Sequence, residues 1–292
     1  MMRRIEGGTL LMGSEEFYPE EGPVVEVAVA AFEIDETAVS NAEFARFVAE
    51  TGYVTVAERP LDPAEFDIPE PAGRAAGSLV FTPTRGPVDL GDWRQWWRWV
   101  PGAQWRHPRG PGSTIEGMGD HPVVQIAFDD AVAYAAWAGK RLPTEPEWEW
   151  AARGGLVGAR FAWGDDPQEP DALRANTWQG RFPYLNTGAN GWIGTAPVRS
   201  FPPNGYGLFE MTGNTWEWTD TTWSTHESAD GSGHCGCGPD ATSGDRVLKG
   251  GSHLCSPDYC LRYRPAARSR QSVDSAATHI GFRCARSVRG AM

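Results

Sequence analysis

Alternating hydrophobic and polar positions predict several short β-strands along the chain. Residues 9–12 are mostly apolar, and in residues 24–32 the valines at positions 25, 27 and 29 alternate with glutamate or alanine. This alternation is typical of a strand that is buried on one face. Residues 123–127 predict another short strand, and residues 278–284 predict a closing strand near the C-terminus.

Three segments carry the start and stop signals of helices. The first begins at Ser40, where Glu43 three residues later completes a capping box, and the third begins with the same kind of box. A glycine follows each segment, and glycine commonly ends a helix because it adopts the left-handed conformation without strain. The predicted helices run from Ser40 to Gly52, from Asp129 or Asp130 to Gly139, and from Thr144 to Gly154.

The rest of the sequence predicts a packed domain with much irregular backbone. The 292 residues include 35 glycines and 23 prolines, and residues 60–122 show little periodicity, so we expect long ordered loops there. A hydrophobic content of 40% with 14 tryptophans predicts a substantial core filled by aromatic rings. Five tryptophans in the loop region fit either the wall of a peptide-binding groove or ordinary packing: Trp93, Trp96, Trp97, Trp99 and Trp105.

Charge and the length of apolar runs argue against two classes of partner. The net charge of −12 leaves no basic excess to neutralise phosphates, so we expect no nucleic-acid partner. No run approaches the roughly 18 apolar residues of a membrane span, so we expect no membrane partner. The basic residues 1–4 lack a following apolar segment and the five cysteines are an odd number, so we expect a cytoplasmic protein.

Two cysteines, Cys255 and Cys260, lie five positions apart within residues 249–269. Pro257 disfavours a helix at the residue before it, so a turn can bring the two sulfurs to one side of a loop. The spacing alone fits a buried structural pair, a disulfide, half of a zinc site, or a thiolate site for redox chemistry or a soft metal. Neighbouring polar and cationic residues favour the thiolate form: Ser252, His253, Tyr259, Arg262, Arg264 and Arg268.

Two further regions hold candidate metal ligands. Residues 174–223 contain repeated Asn-Gly turns, whose oxygens suit a hard cation such as calcium, although such turns also occur simply as turns. Residues 224–245 predict a mobile excursion that holds Cys235 and Cys237, a C-x-C pair without the second pair of a typical zinc site. His107 and His121 each precede a proline and are interpreted as structural.

Short motifs spread over nearly the whole chain carry a family resemblance. They lie at residues 7–13, 39–41, 121–124, 130–134, 137–145, 147–149, 175–180, 204–207, 213–218 and 281–284, and the most specific is Gly-Gly-Ser252 followed by Cys255 and Cys260. Over residues 7–286 the chain resembles the formylglycine-generating enzymes, which are sulfatase-modifying oxidases. The resemblance implies a single α/β (α+β) domain over residues 1–292, with little regular secondary structure and a distant similarity to C-type lectins.

The resemblance also implies a copper-dependent oxidation. Its substrate would be the cysteine of a Cys-x-Pro-x-Arg segment in an unfolded type I sulfatase, which dioxygen converts to Cα-formylglycine while an external thiol or other reductant supplies electrons. By the same resemblance Cys255 and Cys260 bind one copper(I) ion, which suits soft sulfur ligands. Ser252 and Tyr259 would lie near the oxygen and the substrate sulfur, and Trp216 would lie in the cleft.

Two structural calcium sites are implied in the same way. The first would use Asn176, Thr177, Asn190 and Trp192, and the second would use Glu210, Met211, Gly213 and Thr215. Asn190 stands where an aspartate is expected, which removes a negative charge from the first site.

The chain departs from the family pattern where some relatives bind the substrate arginine. Ala38 and Gly77 stand at positions where those relatives have carboxylates. Asp35 and Glu36 are the nearest acidic residues in the sequence, so they are candidates for this role.

Two other functions use the same scaffold. In a non-catalytic peptide-binding or scaffold protein, Cys255 and Cys260 would form a disulfide or take no part in chemistry. The non-haem-iron sulfoxide synthases need a further helical domain with histidine ligands, but the six histidines here are scattered and no H-x3-H-x-E segment is present. The intact set of Cys255, Cys260, Ser252, Tyr259 and Trp216 therefore favours catalysis.

Overall fold

The computed structural model describes residues 1–60, 75–169, 172–225 and 244–288, which form short strands and three α-helices joined by long loops. The helices are α1 (Asn41–Thr51), α2 (Phe128–Trp137) and α3 (Glu145–Arg153). The strands are β1 (Met2–Ile5), β2 (Gly8–Met12), β3 (Val25–Val29), β4 (Phe32–Asp35), β5 (Gly77–Phe81), β6 (Trp97–Pro101), β7 (Gly180–Arg181), β8 (Leu185–Asn186), β9 (Trp216–Thr222), β10 (Arg246–Lys249), β11 (Arg268–Gln271), β12 (Ile280–Gly281) and β13 (Ala285–Ser287). Within these ranges no helix is long and apolar enough to cross a membrane.

Two sheets form the centre of the described structure. One has the strand order β11-β10-β9-β12 and the other has the order β1-β4-β13, while β2-β3, β5-β6 and β7-β8 form separate antiparallel pairs. In the four-stranded sheet β10 pairs antiparallel with both neighbours, and Lys249 lies opposite Arg268. The cysteine-containing segment 250–267 therefore begins and ends at paired positions on two adjacent strands.

Hydrophobic side chains fill two main clusters beside these sheets. The first packs α1 and α2 against the four-stranded sheet, with Phe44 and Trp218 fully buried. The second packs α3 against the strands of the N-terminal region, with Trp148 at its centre. Burial of such large aromatic side chains contributes about 1.5–3 kcal/mol each, so these clusters support the sheets that carry the loops.

Buried ion pairs join the elements beneath the cysteine-containing segment. Arg283 pairs with Glu217 at 2.7 Å, and the indole N–H of Trp148 donates to the same carboxylate at 2.7 Å. Lys249 pairs with Glu149 at 3.0 Å, and both side chains are fully buried. Because a buried charge without a partner is strongly destabilising, these pairs hold α3 to the four-stranded sheet.

The predicted helices are confirmed with one change of boundary. The capping boxes of Ser40 with Glu43 and of Thr144 with Glu147 are both present. Helix α2, however, begins at Phe128 rather than at Asp129 or Asp130. Asp130 does cap the helix, because its carboxylate accepts the backbone N–H of Ala127. It does so from within the first turn and is not the first residue of the helix.

Several strand predictions are wrong or incomplete. Residues 123–127 form no strand, because Gln125 has a φ of 64°, which breaks the extended backbone. The predicted strand 24–32 is divided into β3 and the beginning of β4, and only Ile280–Gly281 is a strand within residues 278–284. The β5-β6 hairpin lies in the region predicted to be loops. The predicted excursion with Cys235 and Cys237 falls largely in residues 226–243, outside the described ranges.

Candidate active site

Two glycines shape the backbone that leads from β10 to the cysteines. Gly250 and Gly251 have φ values of 97° and 68°, which side chains rarely allow. A Cβ atom on Gly251 would also lie 2.8 Å from the backbone of Arg262, so glycine permits the two ends of the loop to touch. The Gly-Gly pair thus closes the loop on itself.

A tight turn then brings the two cysteine sulfurs together. The carbonyl of Ser256 accepts the backbone N–H groups of Tyr259 and Cys260, at 3.0 and 2.7 Å. The Sγ atoms of Cys255 and Cys260 lie 3.3 Å apart, and both cysteines are free. The sequence-based prediction of a turn with both sulfurs on one side is confirmed.

The two thiols differ in their affinity for a proton. A hydrogen bond with Cys255 lowers the pKa of Cys260, and the positive charges of Arg262 and Arg264 lower it further against the effect of burial. The same hydrogen bond, together with burial, raises the pKa of Cys255. Loss of one proton from the pair therefore leaves the negative charge on Cys260.

The sulfurs face a cavity of about 350 Å³ with mostly aromatic walls. The residues that line it are Tyr18, Trp96, Trp97, Phe182, Trp216, Ser252, Leu254, Cys255, Tyr259, Cys260, Arg262, Ser269 and His279. None of these lining side chains is acidic. The structure thus places the five residues of the predicted catalytic and substrate-binding set around one cavity: Cys255, Cys260, Ser252, Tyr259 and Trp216.

The hydroxyl-bearing residues of this set have different environments. Ser252 is fully buried, and its Oγ accepts the backbone N–H of Leu254 at 3.2 Å. Its hydroxyl hydrogen is therefore still available for donation. The Tyr259 ring is exposed on one side and stacks on Phe182 at 4.5 Å, which fixes the direction of its ring.

The five tryptophans of residues 93–105 lie in three different environments. Trp96 and Trp97 line the cavity, as a groove wall would require. Trp105 lies instead in the main core, where its ring packs on Phe44 at 5.2 Å. Trp93 and Trp99 are exposed. Two of the five tryptophans thus line the cavity and one packs in the core, while binding of a peptide by the cavity stays a prediction.

Three cavity residues were missed by the sequence analysis: Tyr18, Phe182 and His279. They are far from the cysteines in the chain, so no local motif could indicate them. The Nδ1 atom of His279 is buried and has no hydrogen-bond partner among the described atoms. Burial lowers the pKa of His279 to about 3, so the ring is neutral at neutral pH.

Asn214 connects the turn-rich regions to the cysteine loop. Its Oδ1 accepts hydrogen bonds from the side-chain amide of Asn176 and the backbone N–H of Ala196. Its backbone carbonyl accepts from both the backbone N–H and the ring Nδ1 of His253. A carbonyl can only accept, so Nδ1 of His253 carries a proton. Asn214 therefore links residues 176 and 196 of the turn-rich region to the loop that carries the cysteines.

The residues of the first predicted calcium site are largely engaged with other protein groups. The side-chain amide of Asn176 donates to the Gly194 carbonyl, and Thr177 Oγ1 accepts from Gln168 and Gln179. Trp192 packs near Phe201, with the ring centroids 6.1 Å apart. The backbone at Asn190 belongs to a short 3₁₀ turn.

The second predicted calcium site contains one carboxylate, that of Glu210. Its two oxygens accept the backbone N–H groups of Arg199 and Phe201, at 3.0 and 3.1 Å, and burial raises its pKa. Gly213 donates its N–H to the Gly250 carbonyl, while Met211 and Thr215 are buried. In the described ranges no group of three or more His, Cys, Asp or Glu residues could hold a metal ion. Most ligands of the two predicted sites are backbone or amide oxygens rather than side chains of these four types, so calcium binding there stays a prediction.

The candidates for receiving a substrate arginine are occupied by the chain's own cations. Asp35 contacts Lys140 at 2.7 Å, and Glu36 contacts Arg3 at 2.7 Å and also Arg199. Neither carboxylate lines the cavity of the cysteines. Gly77 could not be replaced by aspartate without a shift, because a Cβ there would lie 2.5 Å from the Val100 carbonyl oxygen.

The cysteine pair suits copper(I) on chemical grounds. Two free sulfurs this close together would both be within reach of one ion, and thiolates are the soft ligands that copper(I) prefers. The lowered pKa of Cys260 makes its thiolate, the form that binds a metal, easier to form. The donor set therefore fits copper(I) with Cys255 and Cys260 as its ligands.

Comparison with known proteins gives consistent matches along the chain. Residues 1–288 match the Sulfatase-modifying factor enzyme 1-like domain. A formylglycine-generating enzyme of Mycobacterium tuberculosis is 58% identical over 286 residues, which cover 96% of this chain and 95% of that protein. The formylglycine-generating enzyme of Bos taurus is 46% identical over 292 residues, which cover 96% of this chain and 73% of that protein.

Not every similar protein is described as active. The inactive C-alpha-formylglycine-generating enzyme 2 of Mus musculus is 40% identical over 292 residues, covering 98% of this chain and 86% of that protein. Among solved structures, PvdO from Pseudomonas aeruginosa has a TM-score of 0.65 at 24% identity and covers 98% of this chain and 94% of that chain. This structural match supports the expected fold alone.

Proposed function

The chain belongs to the sulfatase-modifying factor family of formylglycine-generating enzymes, and from this premise we propose that Cys255 and Cys260 carry out a copper-dependent oxidation of a peptidyl cysteine by dioxygen. The family and its relatives at 46–58% identity support an oxidase that acts on a peptidyl cysteine and activates sulfatases. The observation that carries the assignment to these two residues is the 3.3 Å separation of their sulfurs at the wall of an aromatic cavity.

The proposed reaction balances with one external reductant. The substrate CH₂–SH group, dioxygen, two electrons and two protons give an aldehyde, hydrogen sulfide and water. Oxidation of the substrate carbon from the thiol to the aldehyde level supplies two electrons, whereas the full reduction of dioxygen takes four. The remaining two electrons come from an external thiol or another reductant, as the resemblance implies.

Copper(I) bound to Cys255 and Cys260 would supply the activation of dioxygen. The protein's own contribution is to orient and enclose the substrate cysteine. Trp216, Trp96 and Trp97 contribute apolar walls, and the open cavity admits a side chain next to the sulfurs. A substrate that covers this opening would exclude water and so strengthen the electrostatic contacts inside the cavity.

Hydroxyl groups supply hydrogen-bond donors in this cavity. Ser252 Oγ accepts from Leu254 and so directs its own hydrogen elsewhere. Tyr259 carries a hydroxyl whose pKa is raised by burial, so it stays protonated and able to donate at neutral pH. We assign both residues to the stabilisation of negative charge that develops on oxygen or on the departing sulfur.

A peptide assay tests the proposed function. The protein is loaded with copper(I), mixed with a short Cys-x-Pro-x-Arg peptide and a thiol reductant in air, and the peptide is analysed by mass spectrometry. We expect conversion of its cysteine to the aldehyde, and an oxygen-free sample should give none. Absence of product from a properly loaded sample, together with retained peptide binding, would support a peptide-binding protein instead.

A further inference from the structure

An N-terminal segment packs directly against the residues that follow Cys260. We name residues 17–21 the N-terminal clamp. The backbone N–H of Leu261 donates to the hydroxyl oxygen of Tyr18 at 3.0 Å, although the two residues are 243 positions apart. Arg262 pairs with Glu20 at 2.6 Å, and its guanidinium lies over the Tyr18 ring at 4.3 Å. The clamp therefore contacts the two residues immediately after Cys260.

Further contacts extend this packing along the same loop. Arg264 makes two hydrogen bonds to the Glu21 carboxylate, at 2.5 and 2.9 Å, and both side chains are almost fully buried. The guanidinium of Arg264 also lies over the Phe17 ring, 3.7 Å from its centroid. The Nε of Arg264 donates to the Leu261 carbonyl at 2.6 Å. This arginine therefore bonds both to the clamp and to another residue of the cysteine-containing loop.

The clamp has a defined conformation of its own. Residues Pro19–Glu21 form a 3₁₀ turn in which the backbone N–H of Glu21 donates to the Tyr18 carbonyl at 2.9 Å. The backbone N–H of Ser14 donates to the Glu21 carbonyl at 3.1 Å. These local hydrogen bonds fix the conformation of the turn independently of the cysteine-containing loop, so the turn can restrain that loop.

We propose that the N-terminal clamp sets the position of Cys260 relative to Cys255, with Tyr18 as the main positioning residue. Leu261 is bonded covalently to Cys260, so anchoring the Leu261 amide restricts where the Cys260 sulfur can move. Tyr18 also lines the cavity of the two cysteines. The inference rests on the proposed function only in taking this pair as the reactive centre.

The substitution Tyr18→Phe tests the proposal with two binding measurements. It removes the oxygen that accepts from Leu261 and keeps the ring. Phenylarsine oxide releases water as its arsenic forms one bond to each of two thiols, so its affinity reports whether both sulfurs are correctly placed. We expect about fivefold weaker binding of phenylarsine oxide, and about fivefold weaker binding of copper(I) in competition with a chelator, the effect of losing one net hydrogen bond.

Matched variants separate positioning from general stability. Tyr206→Phe removes the same atom in the second hydrophobic cluster, where the tyrosine hydroxyl has no hydrogen bond among the described residues, and it should leave both affinities unchanged. Glu20→Gln weakens the contact to Arg262 and should lower both affinities, while Glu16→Gln changes an exposed carboxylate and should not. If Tyr18→Phe does not fold, Glu20→Gln provides the test.

The outcomes distinguish the clamp from the proposed function. Unchanged affinities in folded Tyr18→Phe and Glu20→Gln would overturn the clamp, even if the wild-type protein forms the aldehyde. A lower melting temperature without a change in either affinity would also overturn it, because that result indicates only a structural role. If the wild type forms no aldehyde but Tyr18→Phe weakens arsenical binding, the proposed positioning of Cys260 by the clamp is supported and the proposed function is contradicted.

Discussion

The three described cysteines lie in two contrasting environments. Cys284 is fully buried in the main hydrophobic core, where burial and then the charge of Asp35 raise its pKa. Cys260 is half-buried at a cavity beside Cys255, where a hydrogen bond and nearby arginines lower its pKa. The same side chain is thus an inert packing residue in one place and a candidate ligand in the other. The difference arises from the neighbouring groups, since all three residues are free thiols.

Surrounding charges add to this contrast, after burial at Cys284 and the hydrogen bond at Cys260. Carboxylates of Asp35, Glu43 and Glu217 disfavour an anion at Cys284, whereas Arg262 and Arg264 favour one at Cys260. Those arginines are held by the carboxylates of the N-terminal clamp. The region that supports a thiolate is therefore assembled from both ends of the chain.

Replacing each kind of cysteine should give the largest difference between the two environments. Cys260→Ala removes a proposed copper ligand, so aldehyde formation should fall more than about a hundredfold. Cys284→Ala should keep the wild-type rate and lose about 1–2 kcal/mol of unfolding free energy from the small core cavity. Peptide turnover and chemical denaturation measure the two effects. Equal turnover in Cys260→Ala and Cys284→Ala would remove the distinction.

Alkylation of the metal-free protein should also separate the cysteines. The lowered pKa of Cys260 means that its thiolate forms at a lower pH than in an ordinary thiol, so its reaction with iodoacetamide should begin at a lower pH than that of an unperturbed thiol. Cys284, buried and with a raised pKa, should react about tenfold or more slowly until the protein unfolds. Mass spectrometry of peptides after timed quenching gives both rates. Faster labelling of Cys284 in the folded protein would contradict the contrast.

Ser252→Ala should have a smaller effect on the same cavity. The substitution removes a donor but leaves both sulfurs in place, so kcat should fall about tenfold while copper(I) stoichiometry is unchanged. Steady-state kinetics with the peptide and metal titration measure the two quantities. Ser200→Ala is a suitable control, since Ser200 Oγ donates to the Pro197 carbonyl and does not line the cavity. A wild-type kcat in Ser252→Ala would remove the serine from the proposed mechanism.

Local features of the fold were predictable, and long-range ones were not. The capping boxes of Ser40 and Thr144 involve residues three positions apart, so sequence spacing was enough to find α1 and α3. The missing strand at 123–127 depends on the left-handed backbone of Gln125, a residue without glycine's freedom. Sequence alone gave no sign of that conformation.

The same distinction applies to the candidate site. The turn that joins Cys255 to Cys260 spans a few residues, and Pro257 indicated it. Tyr18 and His279 line the cavity only because separate segments of the chain pack together, and no short sequence motif predicts that packing. Likewise, Asp35 and Glu36 looked available in the sequence, and only the structure pairs them with the chain's own cations.

Titration with copper(I) tests the central claim most directly. Anaerobic, reduced samples of the wild type, Cys255→Ala, Cys260→Ala and Cys284→Ala are titrated in competition with a chelator, and the tightly bound copper per chain is measured. We predict one ion per chain for the wild type and Cys284→Ala, and none for Cys255→Ala and Cys260→Ala. One tightly bound ion retained in either Cys255→Ala or Cys260→Ala would contradict the account, because that ion could not depend on the sulfur pair.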